Sequence, residues 1–269
     1  MPELPDVATF ARYLDATSLH QAIDGVEVRE PRLLEELAPR DLERGLVGRR
    51  FAATRRHGKY LFAPFDPHGD GALVLHFGMT GFPSFYRRDD REPDYARMLV
   101  RFEGGGTLAV VSRRLLGEVR LTDDVDAFVA AHDLGPDALH DVTDVDVLQE
   151  ALAGRRGMVK PTLMNQNVLA GIGNVYADEI LYQARLDPRT PVDALSAEEV
   201  RTLLWTMRRV LTTAIDRDAD PDAYPRRWLT PRRESGRACP RCDGTIQRIE
   251  VSGRAGYWCP SCQRRRDSG

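Results

Sequence analysis

Lysine is almost absent from this chain: Lys59 and Lys160 are the only two among 38 basic residues, the rest being arginine. A lysine kept where arginine is the default draws attention to its position. No run of about 18 apolar residues exists, which excludes a membrane-spanning helix. The first twenty residues carry Glu3, Asp6, Arg12 and Asp15 and lack the apolar core of an export signal, so a cytoplasmic protein is expected. Cysteine is scarce too, with four residues, all near the C-terminus. No internal repeat is apparent.

What is present suits a two-domain globular protein. A length of 269 residues and a hydrophobic fraction of 42% allow two domains with real cores. The net charge of −3 argues weakly against a nucleic-acid partner, but phosphate responds to local fields and not to the sum. From Arg226 onward eleven arginines stand against four acids, so that segment is strongly basic, and the acidic excess gathers around 123–146.

Periodicity divides the chain in the same way. From Leu4 to Gln21, Val7, Phe10, Ala11 and Leu14 recur at helical spacing. Short apolar runs punctuated by glycine and proline follow, at 26–29, 50–55, 59–65, 72–77, 97–103, 107–111 and 118–121; seven or eight strands at such spacing predict a sandwich or flattened barrel. A connector with one short helix is expected over 123–140. Beyond Val145 the pattern turns helical, ending in a long amphipathic stretch over 197–215 that Ser196 and Glu199 open as a capping box.

Three motifs carry chemistry. If an aminopeptidase removes Met1, the new N-terminus is the secondary amine of Pro2 beside the carboxylate of Glu3. Model α-amino groups titrate near roughly 7.7–8, so such an amine can attack a sugar aldehyde carbon and form a cationic iminium, while an adjacent acid shuttles protons. The same two residues also suit an ordinary helix start. Leu169-Ala-Gly-Ile-Gly-Asn174 places two glycines and an asparagine before a helix, where N–H groups, the helix dipole and the Asn174 amide can receive a phosphate, or where Asn174 caps a tight turn. Cys239-Pro-Arg-Cys242 and Cys259-Pro-Ser-Cys262 have the spacing of a closed tetrahedral zinc site, a structural one because no coordination position stays open. Between them two alternating strands flank Ser252-Gly253, which sets Arg254 just past a hairpin tip.

Taken together, the opening Pro-Glu-Leu-Pro, the glycine-rich helix hairpin and the terminal four-cysteine ribbon resemble the formamidopyrimidine-DNA glycosylase and endonuclease VIII family of base-excision repair enzymes, almost end to end. The resemblance implies an α+β protein: an N-terminal β-sandwich with an N-terminal helix (1–124), a linker (125–144), a helix-two-turn-helix domain (145–230) and a zinc ribbon (231–269). It implies a bifunctional DNA glycosylase and abasic-site lyase, a monomer acting on double-stranded DNA with a damaged base or abasic site and holding one structural zinc. Pro2 and Glu3 would be catalytic, with Lys59 of Arg55-Arg-His-Gly-Lys-Tyr60 contacting a phosphate and supporting them. His76, Asn174 and Arg254 would hold phosphates, Met79 would fill the gap left by the flipped nucleotide, and Arg113 or Arg114, by preference Arg114, would face the orphaned base. Two rivals fit the residues: a paralogue that binds damaged DNA without cutting, and a lyase acting mainly on abasic sites or an unusual lesion.

The chain also departs from the family. Leu115 stands where phenylalanine is expected in Ser112-Arg-Arg-Leu-Leu-Gly117, a register one residue longer than Arg-Arg-Phe-Gly. Asp6 replaces a glutamate, and no long glycine-rich loop lies within 216–237. The preferred lesion is therefore open.

Overall fold

In the computed structural model, residues 1–66, 70–87 and 90–265 are described; Arg266 and Asp267, counted above in the basic segment, lie outside them. Helix α1 (Leu4–Thr17) forms where the apolar stripe predicts it, with Val7 and Leu14 fully buried. It stops short of Gln21 because Ser18 closes the last turn, Leu19 bridges to Phe51, and His20 takes a left-handed φ of 61°.

The chain divides into two units, one of 1–2 with 6–132 and one of 3–5 with 133–269. The first contains eight strands in two antiparallel sheets. Strands β1 (Ile23–Val28), β5 (Phe82–Arg87), β6 (Ala96–Phe102) and β7 (Gly106–Val111) make one sheet in the order β1-β6-β7-β5. Strands β2 (Arg55–His57), β3 (Tyr60–Pro64), β4 (Ala72–His76) and β8 (Glu118–Thr122) make the other in sequence order.

Alternating residues of both sheets meet α1 and the short helix α2 (Pro39–Leu46) in one core: Leu61, Leu73, Leu75, Met98, Val100 and Leu108, with Leu42 and Leu46 from α2. Each such fully buried side chain contributes roughly 1.5–3 kcal/mol relative to exposure. The stretch 50–55 is not a strand: Phe51 makes only isolated bridges, and pairing begins at Arg55. The expected connector carries α3 (Val125–Ala131), capped by Asp124, whose Oδ1 accepts from Asp126 N and Ala127 N. Phe128 of α3 covers the outer face of β3 and β4, packing its ring on Phe62 at 5.5 Å.

The second unit is helical, with α4 (Val145–Leu152), α5 (Val159–Met164), α6 (Asn174–Ala184) and α7 (Ala197–Asp216) followed by a hairpin of β9 (Gln247–Val251) and β10 (Arg254–Trp258). The capping box at the start of α7 forms as expected: Glu199 N donates to Ser196 Oγ, and Ser196 N to Glu199 Oε2. No helix among the described residues is long and apolar enough to cross a membrane.

Candidate active site and nucleic-acid surfaces

Glu3 is buried, and its carboxylate accepts three backbone N–H bonds: from Gly173 (2.8 Å) and Tyr176 (3.1 Å) to Oε2, and from Val175 (2.8 Å) to Oε1. The N-terminal N–H groups of α6, which the sequence suggests could receive a phosphate, are therefore occupied by this side chain. A carboxylate at a helix N-terminus is favoured by the dipole and by the otherwise unpaired N–H groups. The two motif glycines have the same cause. A Cβ on Gly173 would lie 2.4 Å from Glu3 Cδ, and one on Gly171, at φ +112°, would lie 2.6 Å from Leu4 Cδ1, while Leu4 N donates to Gly171 O. Pro2, directly before Glu3, is partly exposed.

Asn174 faces the ribbon. Its Nδ2 donates to Ala255 O at 3.0 Å, and one turn later on the same helix Asp178 is fully buried against two cations. Lys160 Nζ lies 2.7 Å from Asp178 Oδ1 and Arg233 Nη2 lies 2.8 Å from Oδ2, which also accepts from Tyr257 N. Lys160 reaches Ala255 O at 3.3 Å, and the Arg233 guanidinium lies over the Tyr257 ring. Burial pushes the Lys160 ammonium down and the Asp178 carboxyl up. This triad joins α5, α6 and β10, and the only sequence signal for it is the rarity of lysine. Glu179 is a second buried carboxylate the sequence did not reveal; it accepts from Thr230 N, Thr230 Oγ1 and Gln183 Nε2, and burial raises its pKa.

Arg254 is exposed at the start of β10, beyond a tight turn in which Ser252 and Gly253 both take positive φ. It borders a hollow of about 270 Å³ with Pro161, Met164, Asn165, Val251 and Ser252. The four sulfur atoms of Cys239, Cys242, Cys259 and Cys262 lie within 4.8 Å of one another, and Gly244 N points at Cys242 Sγ. Tyr182 Oη lies 3.2 Å from Cys239 Sγ. Four thiols converging on one point, with N–H and O–H donors aimed at sulfur, are the donor set and outer shell of a structural zinc.

In the sandwich unit, Lys59 sits in the β2–β3 turn after Gly58, whose φ is +56° and whose carbonyl accepts from Arg56 Nη1; the lysine is largely buried. His76, at the end of β4, packs on the Tyr60 ring at 4.9 Å, and burial lowers its pKa despite Glu118 nearby, with Lys59 adding to the drop. Met79 follows and is 40% exposed, so it is not a core residue. Its turn lies against the loop 112–117: a Cβ on Gly78 would approach Leu116 O to 2.3 Å, and one on Gly117 would approach His76 O to 2.4 Å. In that loop Arg114 is exposed and Leu116, next to Gly117, is 51% exposed, whereas Leu115 is half-buried; Arg113 lies over the Tyr95 ring. Lys59, His76, Met79, Arg114 and Leu116 therefore belong to one unit, and Glu3, Asn174, Arg254 and the cysteines to the other.

Comparison with known proteins agrees throughout the chain. Residues 1–119 match the formamidopyrimidine-DNA glycosylase N-terminal domain, 134–222 the H2TH domain of that enzyme, and 236–265 a zinc finger found in FPG and IleRS. Formamidopyrimidine-DNA glycosylase of Streptococcus pneumoniae is 31% identical, covering 98% of this chain and all of the relative. That of Moorella thermoacetica is 35% identical over 93% of this chain and 94% of its own. The crystal structure of Lactococcus lactis Fpg with DNA containing an abasic site superposes with a TM-score of 0.88 at 27% identity, covering 98% of this chain and all of that one. A Glu3 carboxylate seated on the first turn of α6, a four-cysteine ribbon clamped to the same helix and these matches lead to one conclusion: the chain belongs to the formamidopyrimidine-DNA glycosylase family.

Proposed function

We propose that this chain excises a damaged base from duplex DNA and cleaves the resulting abasic site through an iminium on Pro2. The observation that carries the residue assignment is the seat of Glu3. Three N–H bonds fix its carboxylate, and the peptide bond between residues 2 and 3 ties the amine of Pro2, freed when Met1 is removed, to that fixed point. Holding a nucleophile in place replaces entropy that would otherwise be lost at the reacting centre.

In the reaction, the lone pair of the Pro2 nitrogen forms a bond to C1′ of the damaged nucleotide as the bond from C1′ to the base breaks. The base leaves with the bonding pair and takes up a proton. The nitrogen gives up its proton, and the sugar ring then opens, its oxygen accepting a proton as the nitrogen lone pair forms a double bond to C1′ and makes the cationic iminium. With C1′ as electron sink, loss of a C2′ proton expels the 3′ phosphate, and water returns the amine. Glu3 moves protons in these steps. Lys59, His76, Asn174 and Arg254 hold the phosphates on either side, Met79 fills the vacated stack and Arg114 faces the orphaned base. The family name and the abasic-site DNA of the Lactococcus complex support oxidised purines and abasic sites as substrates.

Zinc, held by Cys239, Cys242, Cys259 and Cys262, supplies structure and no reactive centre. The relatives are bacterial, which supports a cytoplasmic location. Borohydride trapping on duplexes bearing an abasic site, a formamidopyrimidine or 8-oxoguanine tests the reading, with the N-terminus read by mass spectrometry. An adduct mapped to Pro2 is expected; DNA binding without any adduct, once Met1 is gone, would leave a lesion-binding protein that does not cut.

A further inference from the structure

Tyr95 stands out in the sandwich unit as a side chain in the wrong place for its type. It is 47% exposed and sits at a left-handed φ of 64°, a conformation that glycine adopts freely and an aromatic residue does not. Neither a buried ring nor a tight turn around a small residue accounts for it. Backbone strain held at an exposed aromatic points to a task for the ring.

The surroundings show which task. The ring carries two guanidinium groups, Arg97 at 5.4 Å and Arg113 at 5.1 Å from its centroid. Two of these residues, Tyr95 through its backbone carbonyl and Arg97 through its guanidinium, also grip the root of the loop 112–117. Ser112, which is buried, donates from its N–H to Tyr95 O at 3.1 Å, accepts from Arg97 Nε at its carbonyl at 2.8 Å, and accepts from Leu115 N at Oγ. Arg113, itself exposed, lies over the Tyr95 ring, while its exposed neighbours Arg114 and Leu116 make no such ring contact among the described residues. Two adjacent arginines of equal length and charge receive different roles from one ring.

We infer that Tyr95 is a positioning residue of the DNA-probing loop: by holding Arg113 over its ring, it makes Arg114 and Leu116 the pair that enters the duplex. This rests on the proposed entry of that loop into DNA, and the test separates the two claims.

A duplex carrying a tetrahydrofuran abasic analogue opposite 2-aminopurine reports disturbance of the orphaned base through its fluorescence on binding. Leu116→Ala tests loop entry by itself and is expected to lose the signal. Tyr95→Phe keeps the ring and should retain the wild-type response. Tyr95→Gly removes the ring while relieving φ, so its thermal midpoint should stay level or rise, yet the response should fall by about threefold, on the scale of lost cation–π contacts. Arg113→Met should fall alike, a check that does not depend on residue 95. A full response from Tyr95→Gly and Arg113→Met, with the signal lost in Leu116→Ala, overturns the positioning role and leaves loop entry standing. A full response from Leu116→Ala overturns both.

Discussion

At the scale of single residues, close approach decides more than charge. Gly173 has no room for a methyl group because Glu3 lies where its Cβ would go. Gly173→Ala must push Glu3 off the N–H groups of α6, at a cost of roughly 1–3 kcal/mol for overpacking a tight site. We expect a lower melting temperature together with at least about a tenfold drop in trapped adduct, one power of ten corresponding to about 1.4 kcal/mol. Glu3→Gln should be nearly isosteric but present an amide N–H₂ to one of three N–H donors; excision should fail while DNA affinity, measured by anisotropy, is kept. His76 has a sharper signature in pH. Its folded pKa lies below the unfolded value of about 6.5 because of burial, so the unfolded chain binds the proton first. Its contribution is complete above about pH 6.5 and is lost as pH falls from there through the lower folded value. Wild type should therefore lose more melting temperature than His76→Gln between about pH 7 and pH 5; equal losses would show that the imidazole takes up its proton at the same pH in both states.

At the scale of elements, the buried Lys160–Asp178–Arg233 triad fixes β10 on α6, and Arg254 stands at the start of that strand. Lys160→Met leaves Asp178 buried with one cation in place of two. Removing one partner of a buried pair costs about 3–5 kcal/mol, and the retained Arg233 should hold the loss to the lower part of that range. Melting followed by calorimetry and DNA affinity should both report it, the latter through a displaced hairpin. Little of this element was legible beforehand. Lysine scarcity drew attention to residue 160, but no local pattern announces that residues 160, 178 and 233 meet. The strands were easier, since alternation and glycine punctuation placed β3, β4, β6, β7 and β8. Strand β5 escaped because Pro83 interrupts it; the sheet order puts it at an edge, where a missing N–H is tolerated. The glycine-rich motif was legible as a helix start, but what fills it was not, because the partner, Glu3, lies 170 residues away.

At the scale of the whole molecule, a chain of net charge −3 binds a polyanion only through an uneven distribution of charge, and the basic surplus beyond Arg226 coincides with the zinc ribbon. The ribbon's own core is slight: Ile246 and two buried cysteines pack on Leu229 and on Tyr182 of α6. So small a core cannot outweigh the entropy of ordering some thirty residues, and metal binding must supply the difference. Zinc removal should therefore unfold the hairpin and release Arg254 along with the rest of the surplus, while the eight-stranded unit, whose core is separate, keeps its own melting transition. The DNA readout distinguishes losing one contact from losing the ribbon. Each phosphate contact adds about 0.9 to the slope of log K against log salt, so Arg254→Gln should lower the slope by about one. Chelation should lower it by more, because Arg237, Arg241 and Arg248 lose their fixed places as well. Metal analysis is expected to give one zinc per chain, falling in step with that slope. A slope unchanged after complete loss of zinc would mean that the ribbon's arginines contribute no phosphate contacts, and the basic surplus would then have to serve something other than DNA.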